Sequence, residues 1–255
     1  MKYMFLMYGD ENSWTEEERK DCMVGCLKVC DELAAQGKFI ATAPLQSVTT
    51  AATVRVRGGR TFVTDGPFAE TTEQLGGYFL LDLADLDEAI EVAGRLPPVR
   101  KGTAEIRPLL PMDGLPPARP FPVGSQDARG TPFMLLCRHD EATWEAAGPA
   151  AQQVAKTEAA ALACQLSAAG QYLNASPLHP AATATCVRVR DGKREITDGP
   201  FAETHEVLGG FYVILAESRD AALRVAAQQP GARFGSVEVR PLFDFSALHN
   251  TASIS

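Results

Sequence analysis

The chain has little of what most catalytic and binding motifs are built from. Its 255 residues include only four histidines and six cysteines, with no CxxC or HxxxH pair, so the ligand spacings of common zinc sites are missing. No Gly-rich phosphate loop, dinucleotide fingerprint or GxSxG elbow occurs. There is no Lys/Arg cluster, and the formal charge of −8 is the opposite of the basic face that releases counterions from nucleic acid. Long apolar runs are missing too: the opening MKYMFLMYGDENSW meets Gly9-Asp10-Glu11 too soon for a signal h-region or a membrane span. These absences predict a cytoplasmic protein without nucleic-acid or membrane partners, working without cofactor or metal.

The cysteines are expected to be reduced thiols rather than a disulfide scaffold. Cys22, Cys26 and Cys30 stand at i, i+4 and i+8, which puts three sulfurs on one face of a helix. They read either as a thiolate metal site or as a row of small buried hydrophobes, and the lack of a fourth ligand favours the second.

What the sequence does have is itself, twice. TDGPFAET runs from Thr64 to Thr71 and again from Thr197 to Thr204, and the match extends to Gly77 and Gly210 with changes only at Thr72/His205 and Gln74/Val207. The same shift of 133 positions superposes Gly37 on Gly170, Pro44-Leu45 on Pro177-Leu178, VRVR at Val54 on VRVR at Val187, and Arg107-Pro108 on Arg240-Pro241. For the first strand a shift of 129 fits best. A period this long is a duplicated domain rather than a solenoid unit. Composition suits two globular units, 45% hydrophobic and 22% charged. We place repeat 1 at 1–110, a Pro/Gly-rich linker at 111–130, repeat 2 at 131–245 and a polar tail at 246–255.

Each repeat reads as one order of elements. An apolar strand (Tyr3 to Tyr8, Phe133 to Cys137) leads to a long helix, opened by the Thr15/Glu18 capping box in one copy and carrying Pro149 in its first turn in the other. A VRVR hairpin, a strand after Gly-Gly, a helix opened by Asp85 or Ser218, and a last strand follow. The class is α+β, with helices on one face of a mainly antiparallel sheet in a ferredoxin-like plan that gains a hairpin.

TDGPFAET followed by EQLGGYFLLDL, the preceding TVRVRGGRTFV, the opening MKYMFLMYGDE and the closing EIRPL resemble the YCII-related family in its DGPF-domain branch. The resemblance implies a ferredoxin-like, dimeric α/β-barrel fold in which two sheets pack face to face, each subunit with a cleft. With both copies on one chain, it implies an intramolecular pseudo-dimer and leaves a further homodimer open. The hydrolytic branch of the family has a His on the first helix, but neither first helix here (16–36 and 144–169) contains one. That reactive dyad is not carried over.

The carboxylates Asp65 and Glu70, and their copies Asp198 and Glu203, flank a rigid turn, as an acid/base pair can; equally, they can bond to turn amides. Arg55 and Arg57, like Arg188 and Arg190, leave one face of their strand and could hold an anionic substrate if that face lines a cleft. Arg107 and Arg240 are expected to pair with a carboxylate of the turn, and Phe68 and Phe201 to anchor it in the core. His139, His179 and His205 all lie in repeat 2, and imidazole is the side chain type suited to moving protons under physiological conditions. The expected catalytic set is therefore Asp198, Glu203, His205 and His179, with Asp65, Glu70, Arg188 and Arg190 binding substrate. The function expected is cofactor-free proton transfer on a small organic substrate of specialised metabolism: a lyase, isomerase, cyclase or hydrolase. The alternative, which the resemblance implies, is a non-catalytic accessory protein associated with an extracytoplasmic-function sigma factor.

Overall fold

The computed structural model describes residues 1–68, 72–119, 130–202 and 204–243. Repeat 1 runs β1 (Lys2–Gly9), α1 (Glu16–Ala35), β2 (Phe39–Pro44), β3 (Ala52–Arg57), β4 (Arg60–Asp65), β5 (Gln74–Asp82), α2 (Leu86–Arg95) and β6 (Thr103–Pro108). Repeat 2 runs β7 (Thr131–Asp140), α3 (Glu141–Ala146), α4 (Gly148–Ala168), β8 (Tyr172–Pro177), β9 (Thr185–Arg190), β10 (Lys193–Asp198), β11 (Glu206–Ala216), α5 (Arg219–Gln228), α6 (Gly231–Phe234) and β12 (Gly235–Pro241).

The strands form two antiparallel sheets, ordered β10-β9-β6-β1-β5-β2 and β4-β3-β12-β7-β11-β8. Each sheet therefore contains the other repeat's hairpin. β3 pairs with β12 through Val54↔Val237, and β9 pairs with β6 through Ala104↔Val187. The sequence predicts the VRVR hairpins but not their exchange, because the alternation of Val and Arg is the same whichever sheet receives it.

Alternation along the central strands sorts the core into layers. Met4 and Leu6 of β1 meet Met134 and Leu136 of β7 in the core between the sheets, joined by Tyr78, Leu80, Phe211 and Val213. Tyr3, Phe5 and Met7 face outward, onto α1 and α2, in a second cluster with Val29, Leu33 and Val92. Repeat 2 builds the matching outer cluster from Phe133, Leu135, Leu162, Ala222 and their neighbours. The result is a helix–sheet–sheet–helix stack with the pseudo-dimer made inside one chain.

Three details correct the sequence reading. Phe39–Pro44 and Tyr172–Pro177 are strands along the edge of β5 and β11, where only a connection is predicted. The register of the first strands is a shift of 130, since Met4 opposes Arg107 while Met134 opposes Arg240. This also aligns Trp14 with Trp144. The first helix of repeat 2 is two helices, broken at Gly148 with φ 77°; α1 has the predicted capping box.

Candidate functional sites

The duplicated motif docks each repeat onto the other. Gly66 and Gly199, at φ 100° and 95°, turn the chain out of the exchanged hairpins as only glycine does cheaply. The next aromatic then lands on the opposite repeat. Phe201 stacks on Tyr8 with centroids 4.5 Å apart and planes 8° from parallel, and its N–H donates to Glu105 Oε2 at 2.8 Å. In the mirror position the N–H of Phe68 donates to Glu238 Oε2 at 3.1 Å, and its ring lies 5.0 Å from the Arg138 guanidinium. Both rings are half-buried on the partner repeat instead of entering the core as expected.

Behind them are two buried ion pairs on the inner sheet faces. Arg107 pairs with Glu105 at 3.2 Å and Arg240 with Glu238 at 3.3 Å, so the partner is two residues back in the same strand and not at the turn. Each arginine also crosses between repeats. Arg107 donates to the carbonyls of His179 and Leu208, and Arg240 to that of Gln46. Arg57 and Arg190 clamp the hairpins in place: Arg57 donates to Ala232 O at 2.8 Å and Gly235 O at 2.9 Å, Arg190 to Val99 O at 2.7 Å and Gly102 O at 3.2 Å.

A small pocket of about 70 Å3 lies here, lined by Tyr8, Phe68, Arg138 and Phe201; two larger ones lie between the first helix of each repeat and the end of its sheet. In repeat 1 a cavity of about 680 Å3 is walled by Cys22, Met23 and Cys26 of α1, by Thr42 and Ala43 of β2, and by Tyr8, Trp14, Arg19 and Tyr78. Burial raises the phenol pKa of Tyr78 well above its ordinary value, so it is a neutral wall. The matching pocket in repeat 2 is about 280 Å3 and is lined by His139, Glu141, Trp144, Lys156 and His179, among others.

One substitution between the two linings adds a large ring to the smaller pocket. At the shift of 130, Gly9 corresponds to His139, whose ring lies so close to Gly209 that a Cβ there would stand 2.1 Å from Cε1. The imidazole, 5.5 Å from Trp144, takes up space that Gly9 leaves open beside the matching Trp14. The chain that leaves repeat 1 contributes as well: Leu110 at its end and Met112 of the linker line the repeat 2 pocket, and Arg119 N–H donates to Leu173 O at 2.7 Å. Burial lowers the His139 pKa, opposed by Glu141, which favours the neutral imidazole.

The residues picked from sequence scatter across this geometry. His179 lines the repeat 2 pocket. His205 is exposed. Asp198 is an exposed residue at the end of the edge strand β10, while Asp65, 86% exposed, pairs with Arg219 at 2.5 Å. Arg188 sits 6.0 Å from the Phe201 ring and Arg190 is a structural clamp. Glu70 and Glu203 lie outside the described residues. The pocket residues that sequence reading does not select, Trp14, Arg19 and His139, carry a signal only in the comparison of Gly9 with His139, which the shift of 129 hid. Among the described residues no group of three His, Cys, Asp or Glu could hold a metal ion, and no helix is long and apolar enough to cross a membrane.

The YCII-related domain model matches residues 1–113 and again 131–246. The chain belongs to the YCII-related family. An uncharacterized protein of Rhizobium meliloti (strain 1021) is 42% identical over 114 residues, covering 43% of this chain and 92% of that one, so the relative has the length of a single YCII repeat. A solved structure provisionally assigned as a chlorite dismutase superposes with a TM-score of 0.44 at 11% identity, spanning 98% of each chain. The family match in both halves fits the tandem arrangement of the sheets, each YCII repeat lending its hairpin to the other.

Proposed function

We propose that this protein binds a small, largely apolar organic molecule in the repeat 1 cavity. The observation that carries the reading is the cavity of about 680 Å3 beneath α1, within the several-hundred-Å3 range of ligand sites and with mainly apolar walls, into which Asp10, Glu11, Arg19 and several neutral polar side chains are set. Arg19 supplies a cation at the wall for an anionic substituent. Titration with 1-anilinonaphthalene-8-sulfonate, an apolar anion, tests it: saturable binding with quenching of Trp14 is expected, and Met23→Trp, which fills the cavity, should abolish it. Unaltered dye binding in a folded Met23→Trp protein defeats the reading.

A second reading, cofactor-free proton transfer, is favoured by one specific feature of the repeat 2 pocket. Two imidazoles line it, and burial favours the neutral, proton-accepting form of His139. His179 belongs to both this set and the one read from the sequence. With a substrate found by metabolite profiling, His139→Asn should lower turnover by roughly two orders of magnitude or more at unchanged melting temperature. Turnover that survives the change rules out His139 as the base. The sigma-factor accessory reading rests on the resemblance alone, with ligand binding as its input.

A further inference from the structure

The cysteine row reopens once the cavity is in view. Cys22, Cys26 and Cys30 all line the repeat 1 cavity, Cys22 and Cys26 half-buried and Cys30 buried. Repeat 2 provides an internal control. With the helices aligned at the shift of 133 that superposes Gly37 on Gly170, the three thiols correspond to Ala155, Ala159 and Ala163, and Arg19 to Gln152. The fold therefore accepts alanine at all three positions. A need for small hydrophobes does not explain why the copy with the larger cavity has three sulfurs there and a cation one turn away.

The three thiols are not equivalent. The neighbouring Cys26 side chain holds the Cys22 thiol below its ordinary pKa; Arg100 and Arg19 add to this, against the effect of burial. The Cys26 thiol is raised well above its ordinary value by the neighbouring Cys22 and by burial, and burial pushes Cys30 up to about 12. Cys137 and Cys186 are buried, and burial raises both their thiols. Cys22 is thus the one cavity thiol with both access to the cavity and support for its anion.

We infer that the repeat 1 cavity takes electrophilic organic ligands of the α,β-unsaturated carbonyl class, and that Cys22 is the nucleophile that bonds to them. This deepens the binding reading and rests on it. The Cys22 thiolate sulfur adds to the β-carbon and a C–S bond forms. The π pair of the C=C bond shifts to between the α-carbon and the carbonyl carbon while the C=O π pair moves onto the oxygen, giving an enolate for which Arg19 on the same wall is a counter-charge. The proton that the thiol gave to water returns from water to the α-carbon. The product is a thioether that contains every atom of ligand and thiol, and no oxidant or reductant enters. The apolar walls suit the carbon skeleton, and Cys26 lies one turn along the same helix face from the reacting sulfur.

The test is limited labelling of the folded full-length chain with N-ethylmaleimide, itself an α,β-unsaturated carbonyl, followed by peptide mapping. The exposed Cys164 is the built-in reference. Cys22 should react faster than Cys164 by about tenfold, because rate follows thiolate fraction. Arg19→Gln should slow the Cys22 reaction and move its pH profile upward, and Cys22→Ser should remove the fast phase. Labelling of Cys164 ahead of Cys22, or a Cys22 that reacts only after denaturation, overturns the inference. Should the dye fail to bind while Cys22 still reacts first, the binding reading falls and the nucleophile stands; dye binding with an inert Cys22 is the reverse.

Discussion

The backbone N–H of Phe201 donates to the carboxylate of Glu105 at 2.8 Å, although the two residues belong to different repeats. That carboxylate also neutralises Arg107, which is buried on the inner face of the sheet. One side chain therefore ties the duplicated motif, the ion pair and the exchanged hairpin together. The same arrangement recurs through Glu238, Phe68 and Arg240.

Glu105→Ala should destabilise the chain by roughly 3 to 5 kcal/mol, because it leaves the Arg107 charge buried without its partner. Glu105→Ala with Arg107→Met should recover part of that loss in denaturant unfolding, since both buried charges are then gone. If the double variant is no more stable than the single one, the pairing is not the source of the effect.

Phe201→Ala should cost about 1 to 3 kcal/mol, less than a fully buried ring, because its contact is one face against Tyr8. Tyr8→Phe keeps the stack and should melt near the wild type. A Phe201→Ala melting curve that overlays the wild type would dismiss the docking role.

A fragment of residues 1–113 contains β3 and β4 but not β9 and β10, so β6 is left as an open edge. Light scattering should find it as a dimer that exchanges its own hairpins, or as an unfolded chain. A stable monomer would contradict the exchange.

Swapping Gly9 and His139 should reverse the asymmetry of the pockets. Gly9→His should weaken dye binding by about tenfold, equivalent to about 1.4 kcal/mol of lost apolar contact. His139→Gly should open repeat 2 and add a second class of dye sites. Unchanged stoichiometry and affinity in both variants would mean that the ring does not set the volume.

His139 also gives a pH signature. Its folded-state pKa lies below the unfolded value because burial disfavours the cation. Between those two values the unfolded chain binds the extra proton, so stability is complete above about 6.5 and falls as the pH drops toward the folded pKa. His139→Gln should remove this segment of the pH–stability curve; an identical slope in the variant would assign it to another group.

The elements whose signals are local were legible in the sequence. The Thr15/Glu18 box, the VRVR hairpins and the apolar central strands all follow from neighbours within a few residues. Partner choice does not: nothing in VRVR says that Val54 pairs with Val237 rather than within its own repeat. The edge strand Phe39–Pro44 escaped because its residues are mostly half-buried, without a sharp alternation. Of the site, the histidine asymmetry was visible, but the weight given to residues around TDGPFAET reflected their repetition. Repetition there answers to docking, while the two larger pockets are lined by α1, α3 and α4, where the copies have diverged.

The exchanged hairpins also set an order of events during synthesis. Ala104 of β6 waits for Val187 of β9, and Val54 of β3 for Val237 of β12. The first repeat therefore leaves the ribosome with an unpaired hairpin and an open β6 edge, and neither can close until most of the second repeat has been translated. Pairings this distant along the chain are slow to find. Nascent chains of this protein are expected to need protection of those strands until translation is nearly finished.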